Sequence, residues 1–345
     1  MMNLEDYIQY KAALSLWRYV PPFLIVFGIT GNVLTIIILL QKHLRNSATS
    51  TFLVTLAISD ILALITGLVR QWVKYTFKVD IREDLTVTGC RIHWFVVYVV
   101  TQFSSWMLIC VTLERIISTF LPHTRRVFCK QRNASIAVAA IFLTLCLLNS
   151  HYLFGYGDKY NGNHTIIERC VPMEDNYTHF ISYSWTWIDL CVFYLIPMLF
   201  LLIGNMMIIF KVLDSHRRSR RAVVPSTNVP STTATQRNKT SSLTVLLMLV
   251  SALFIICITP IVVYPIGEPY WIQGASEQRL ATMFLSNALA NLLMYSNHSV
   301  NFVLYFLSGS KFRSEVRKVI SCKRRQVQVA PHQGTLTRSV SRVVS

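Results

Sequence analysis

Charge is what this sequence has least of. Only 14% of its 345 residues are Asp, Glu, Lys or Arg, against 53% hydrophobic, and the mean hydropathy is positive. An ordinary soluble domain needs more polar surface than that, so the expected class is a membrane protein. Acids are scarcer than bases, 16 against 33. The pattern of a cleavable leader is also lacking: the first 20 residues carry Glu5, Asp6, Lys11 and Arg18 around no apolar core, so the first apolar run is expected to direct insertion itself. No sequence repeat is visible. The broken helices in paired repeats that mark a transporter are missing, as are the several intramembrane His, Asp or Glu ligands of a membrane hydrolase.

What the sequence does have is seven apolar runs, near 21–40, 51–73, 92–121, 134–154, 184–212, 242–266 and 280–307. Each can cross about 30 Å of hydrocarbon, which takes about 20 helical residues. The expected fold is an all-α membrane protein, a seven-transmembrane helix bundle over 21–307. Residues 1–20 would form a short extracellular segment, too small to fold as a ligand-binding domain. The third inner loop, 214–241, and a cytoplasmic tail, 323–345, combine Ser, Thr, Pro and basic residues with little apolar content. That is the composition of disorder.

Orientation follows from charge. With the N-terminus outside, 23 of the 33 basic residues fall on the inner side, where the only acids are Glu114, Asp214 and Glu315. This asymmetry matches the positive-inside rule, and it accounts for the net +17 without nucleic acid as a partner. Of eight cysteines, only Cys90 and Cys170 then face an oxidising compartment, and two such cysteines make one bridge. The alternative is two free thiols. Asn163 and Asn176 open sequons in the second outer loop and are candidates for glycosylation, whereas Asn133, Asn238 and Asn297 match the pattern on the wrong side or within the membrane.

An ionisable residue inside a spanning helix is a functional candidate by default. Asp60 lies in the middle of the second run, and a carboxylate there needs donors, a cation or a proton. Asn32, Asn297 and Asn301 are the expected partners; a purely structural network would use the same residues. No cofactor is expected, a sodium ion beside Asp60 being the one candidate. The seventh run carries Asn287, Asn291, His298, Asn301 and Tyr305 on one helical face, flanked by Asn297. Pro197 and Pro260 fall inside the fifth and sixth runs, where each removes a backbone donor and favours a kink.

In order along the chain, Gly31-Asn32-Val33, Leu56-Ala57-Ile58-Ser59-Asp60, Cys90, Glu114-Arg115-Ile116, Pro197, Phe254 with Cys257-Ile258-Thr259-Pro260, and Asn301-Phe302-Val303-Leu304-Tyr305 resemble the motifs of the rhodopsin-like (class A) G-protein-coupled receptors. The resemblance covers about residues 25 to 322. It departs from the family at Ile258, where a Trp is usual, at Asn205 for a Tyr, at Phe302 for a Pro, and in the fourth helix, which has no Trp. The Asn-Phe-x-x-Tyr ending and the following Phe306 to Arg313 look like invertebrate neuropeptide receptors of the FMRFamide type.

The resemblance implies a plasma-membrane receptor, not an enzyme, that binds an extracellular ligand and activates a heterotrimeric G protein. It implies that Arg115 meets the G protein while Glu114 restrains it at rest, with arrestin and membrane lipids as further partners. Residues 308–322 would include an amphipathic eighth helix lying at the lipid surface, with Cys322 a palmitoylation site. The expected pocket comprises Arg70, Trp94, Tyr98, Gln102, Asp189, Asn287, Asn291 and Tyr295. Outer acids such as Glu168, Glu174 and Glu268 attract cations, so a small basic peptide is the expected ligand. Val97 stands where amine receptors carry Asp, and no Lys lies between 280 and 307 for a retinal Schiff base. The competing readings are a receptor with a non-peptide ligand or constitutive activity, and a seven-helix transporter.

Overall fold

The computed structural model describes residues 3–161, 165–221, 232–308 and 310–320. Backbone amides and carbonyls cannot find water in hydrocarbon, so apolar stretches satisfy them internally as helices. Seven long helices result: α1 (Ile8–Leu39), α2 (Ala48–Phe77), α3 (Val87–Phe120), α4 (Gln131–Gly155), α5 (Asp175–Asp214, continuing to Arg221), α6 (Thr232–Trp271) and α7 (Glu277–Ser308). A shorter helix, α8 (Ser310–Ile320), follows.

Among the described residues, six helices are long and apolar enough to cross a membrane by composition alone. The seventh, α7, has the length but not the hydropathy, because its asparagines and His298 dilute it. In α3, 72% of the apolar window is buried, against 17% in α4, so α3 is the hub and α4 lies at the edge. Met107, Phe254, Ile258 and Leu292 pack the common core.

The structure adds detail to the sequence reading in three places. The first 20 residues do not stand apart: α1 begins at Ile8, because Ala13 and Trp17 are buried and the Trp17 ring stacks on Tyr75 of α2 at 5.1 Å. The segment 214–241 is partly helical, since α5 runs on to Arg221 and α6 starts at Thr232. A hairpin absent from the sequence reading joins α4 to α5, with β1 (Tyr156–Tyr160) antiparallel to β2 (Ile166–Pro172).

Helices α2 and α5 contain π-turns, at Leu64–Leu68 and at Phe180–Trp185 and Leu190–Leu195. A π-turn adds a residue to the turn and re-aims the side chains beyond it. In α2 the wider turn holds Gly67, and a Cβ there would stand 2.3 Å from the Tyr295 hydroxyl of α7. The absent side chain is therefore what admits Tyr295 to the bundle interior, where it is 4% exposed.

Candidate functional site

Midway along the bundle, the fully buried Asp60 of α2 collects donors from α3 and α7. Ser104 Oγ donates to its Oδ1 at 2.7 Å, His298 Nδ1 lies 2.8 Å from the same oxygen, and Asn301 Nδ2 donates to Oδ2 at 2.7 Å. Asn301 is the one expected partner found there. Asn32 instead donates to the backbone oxygens of Gly28 and His298, at 2.9 and 3.0 Å, and so holds the α7 backbone rather than the carboxylate. Asn297 is buried but makes no bond to Asp60 among the described contacts. His298 stood out only as one member of a polar stripe. Ser104 gave no signal, because Ser is commonplace in membrane helices and Ser105 stands beside it.

At the Arg115 end, Arg115 Nε lies 3.2 Å from Glu114 Oε2. Ser118 Oγ donates to the other Glu114 oxygen at 2.9 Å, and Arg115 Nη2 donates to Thr49 Oγ1 of α2 at 3.3 Å. A cavity of about 60 Å³ opens beside the guanidinium, lined by Thr49, Leu108, Leu201, Ser251 and Tyr305 from five helices. Asn205 Nδ2 donates to Ser251 Oγ at 2.6 Å and so ties α5 to α6 across this cavity. Phe302 packs against the bare Cα of Gly31, and its ring and that of Tyr305 meet Phe312 of α8. Val316, also on α8, is 3% exposed. The face of α8 described here is thus packed against the bundle.

Between the two regions, Phe254 is fully buried and stacks on Tyr194, whose hydroxyl shares a hydrogen bond with Thr259 Oγ1. Pro260 follows Thr259 in α6, and the Thr259 hydroxyl donates to Ile255 O in the turn that the proline weakens. Pro197 comes two residues after the last residue of the second π-turn of α5, Leu195.

At the opposite end, Cys90 and Cys170 are bonded, with Cα atoms 5.8 Å apart at a sequence separation of 80. The bridge pins the hairpin over α3, next to a cluster in which Trp94, Tyr98, Tyr152, Tyr156 and Trp185 meet ring to ring. Beneath it, Gln102 Nε2 donates to Asp189 Oδ1 at 2.8 Å, while Asn149 Nδ2 donates to Gln102 Oε1 at 2.7 Å. Asn149 was overlooked, yet it carries the chain of bonds on to α4. Asn291 Nδ2 donates to Asn287 O one turn away, leaving this pair at the α7 wall.

Arg70, expected in the pocket, is paired with Asp80. Its Nε donates to Asp80 Oδ1 at 2.7 Å and its Nη2 to Asp80 Oδ2, which also accepts from Lys74 Nζ at 2.8 Å. Burial alone would raise the Asp80 carboxyl, but the hydrogen bonds from Arg70 and Lys74 outweigh it and hold the group down at about 2. Beyond Asp80, the short helical turn Ile81–Asp84 presents Arg82, which the sequence reading passed over and which is 8% exposed. Asn176 is exposed in the first turn of α5, whereas Asn163 and Cys322 lie outside the described residues.

The family described as 7 transmembrane receptor (rhodopsin family) matches residues 31–305. Similar curated proteins include G-protein coupled receptor 52 of Mus musculus, 25% identical over 86% of this chain and 78% of its own. Galanin receptor type 2 of Rattus norvegicus is 26% identical over 86% and 74%. The Allatostatin-A receptor of Bombyx mori is 22% identical over 87% and 78%.

Proposed function

Because the chain belongs to the rhodopsin family of seven-transmembrane receptors, we propose that it sits in the plasma membrane with its N-terminus outside, binds a small peptide at the disulfide end, and activates a heterotrimeric G protein at the Arg115 end. The observation that carries this reading is the Arg115 site. One arginine from the hub helix is held by the carboxylate beside it, facing a cavity on which five helices converge. Glu114 holds Arg115 and the Asn205–Ser251 bond joins α5 to α6, as a resting receptor would be closed at this end. Activation on this reading requires α6 to swing away from α5. The Asn205–Ser251 bond would have to break.

A peptide ligand is favoured by the relatives named for galanin and allatostatin-A and by the aromatic walls of the disulfide end, which suit apolar side chains. Asp189, with one oxygen given to Gln102 and the other available, is the group we assign to a cationic part of the ligand. Arrestin is the second intracellular partner on this reading, and the inner-side basic residues meet lipid headgroups. A sodium ion beside Asp60 would have to share its two oxygens with the three side chains that already donate to them.

The test is Arg115→Ala at matched surface expression. Second-messenger output through a co-expressed promiscuous G protein, basal or evoked by a peptide library, should fall tenfold or more. Output equal to the wild type removes the assigned role.

A further inference from the structure

At the disulfide end, the corner between α2 and α3 holds more positive charge than it neutralises. Arg70, Lys74 and Arg82 surround a single buried carboxylate, Asp80, and that carboxylate is fully committed. Oδ1 accepts from Arg70 Nε and from the backbone amide of Arg82, and Oδ2 accepts from Arg70 Nη2 and Lys74 Nζ. Two oxygens offer about four lone-pair directions, and four donors use them.

Arg82 is therefore a guanidinium without a carboxylate. Among the described residues no acidic side chain lies within ion-pair distance of it, although it is 8% exposed. Its Nε donates to His93 Nδ1 at 3.0 Å. The other ring nitrogen, Nε2, stands 2.9 Å from Thr66 O. A carbonyl only accepts, so Nε2 carries the proton and Nδ1 is the acceptor; the neutral tautomer of His93 is thus set by its two neighbours. Trp94 covers one face of the guanidinium, with Cζ 3.5 Å from the ring centroid. His93 and Trp94 fix the plane and direction of Arg82, and among the described residues its two Nη groups donate no hydrogen bond.

Arg82 also lies within electrostatic reach of two helices that wall this end of the bundle. The charge of Arg82 is felt by the phenols of Tyr98 on α3 and Tyr295 on α7, two walls of the same end. Burial pushes the guanidinium down to about 9, and the charge of Arg70 pushes in the same direction. The Asp80 charge offsets part of this, but that one carboxylate is shared with Arg70 and Lys74, so an incoming anion would relieve the remaining cost.

We propose that Arg82 anchors a carboxylate of the ligand, gripping both of its oxygens through the two Nη groups, with Trp94 and Tyr98 beside it. A planar fork meeting a planar carboxylate gives two parallel charge-assisted bonds, which a neutral amide cannot match. The proposal rests on the receptor reading and narrows it. With Asp189 taking a cation, the ligand is zwitterionic, and its carboxylate is either a chain terminus or an Asp or Glu side chain.

The experiment uses the full chain in phosphatidylcholine nanodiscs and follows its thermal midpoint with small probes at about 10 mM. N-acetyltyrosine, a carboxylate, should raise the midpoint by about 2 °C or more, and N-acetyltyrosinamide should do so by less than a quarter of that shift. N-acetylglutamic acid α-amide, whose one carboxylate is a side chain, distinguishes the two sources. In Arg82→Gln the carboxylate shift should vanish, and in Arg82→Lys, which keeps the charge but not the fork, it should at least halve. Equal shifts from acid and amide on the unaltered protein overturn the proposal without any variant needing to fold, as does a carboxylate shift that survives Arg82→Gln. A parallel arm measures tyramine on the unaltered protein and on Asp189→Asn. A tyramine shift that ignores Asp189→Asn removes the cation assignment and leaves Arg82 standing, and the converse result does the opposite.

Discussion

Gly67 and Tyr295 are a matched pair. The Tyr295 hydroxyl occupies the space that a side chain at 67 would fill, with atoms at 2.3 and 2.9 Å from the added carbon. Overpacking a buried contact costs about 1–3 kcal/mol, so Gly67→Ala should reduce the surface level of the protein several-fold. Tyr295→Ala in the same chain should restore much of it, and flow cytometry of an N-terminal tag reads both. If the second change does not rescue the first, the contact is not the cause. Asp80 supplies a pH prediction. Its folded pKa, about 2, lies below the ordinary 3.8, so its pairing with Arg70 and Lys74 contributes stability above the ordinary value and loses it as pH falls through the folded one. The thermal midpoint of the purified protein should drop between pH 4 and pH 2, and Asp80→Asn should lower the midpoint at neutral pH while flattening that drop. A parallel fall in both proteins would count against the assignment. Of these residues, Arg70 was visible in the sequence as an outward arginine, but its partner was not, because Asp80 is one of three acids between 80 and 84 and only the turn there decides which faces inward.

The elements contribute in unequal ways. The hub helix α3 supplies Gln102, Ser104, Glu114 and Arg115 at successive depths, so a change in its tilt or rotation reaches both ends at once. The seam of α7 was legible as a stripe of Asn and His at helical spacing, and the same polarity leaves α7 outside the helices apolar enough to cross a membrane by composition alone. The π-turns of α2 and α5 were not legible, since Leu190–Leu195 is ordinary apolar helix in composition and Gly67 in Leu64–Leu68 marks a close approach without specifying a wider turn. The β1–β2 hairpin was missed for a related reason: its seven-residue second strand, with Glu168 and Arg169 at its centre, lacks clean alternation. That hairpin is held over α3 by a bond closing 80 residues, a constraint worth about 4 kcal/mol on the unfolded chain in the loop-entropy view. Cys170→Ser and Cys90→Ser should therefore each cut surface expression several-fold, and the double change should do no further harm, as expected of two halves of one interaction. A double variant markedly worse than either single one would mean that the cysteines act separately.

For the molecule as a whole, charge and site placement point the same way. The Arg115 end carries the excess of basic residues, and the disulfide end carries the sequon at Asn176. An epitope at residue 1 should be stained on intact cells, while one after Ser345 should need permeabilisation. Antibody reaching both in intact cells would undo the assignment of ends. Asn176→Gln should remove a glycosidase-sensitive mass shift if that loop enters the secretory lumen, and an unchanged gel mobility would argue against glycosylation there. The departures from the family's motifs prove local. Phe302 fills the space over Gly31, Asn205 bonds Ser251, and Ile258 is fully buried, so each substitutes one packing solution for another within the same bundle.

The sequence by itself determined how many times the chain crosses lipid and which polar residues are taken in with it. Hydrocarbon forces every backbone amide into a helix and makes each buried Asp, Asn or His conspicuous against its apolar neighbours. Which of those residues touch was decided only by the tertiary structure. That Asp60 takes Ser104 and His298 rather than Asn32, and that Arg70 is spent on Asp80 while Arg82 is left over, depends on how the helices are rotated and how deep each one sits. One residue along a helix turns a side chain by about 100°. The rotation comes from the packing of whole faces, a sum over many contacts in which no single residue announces its partner.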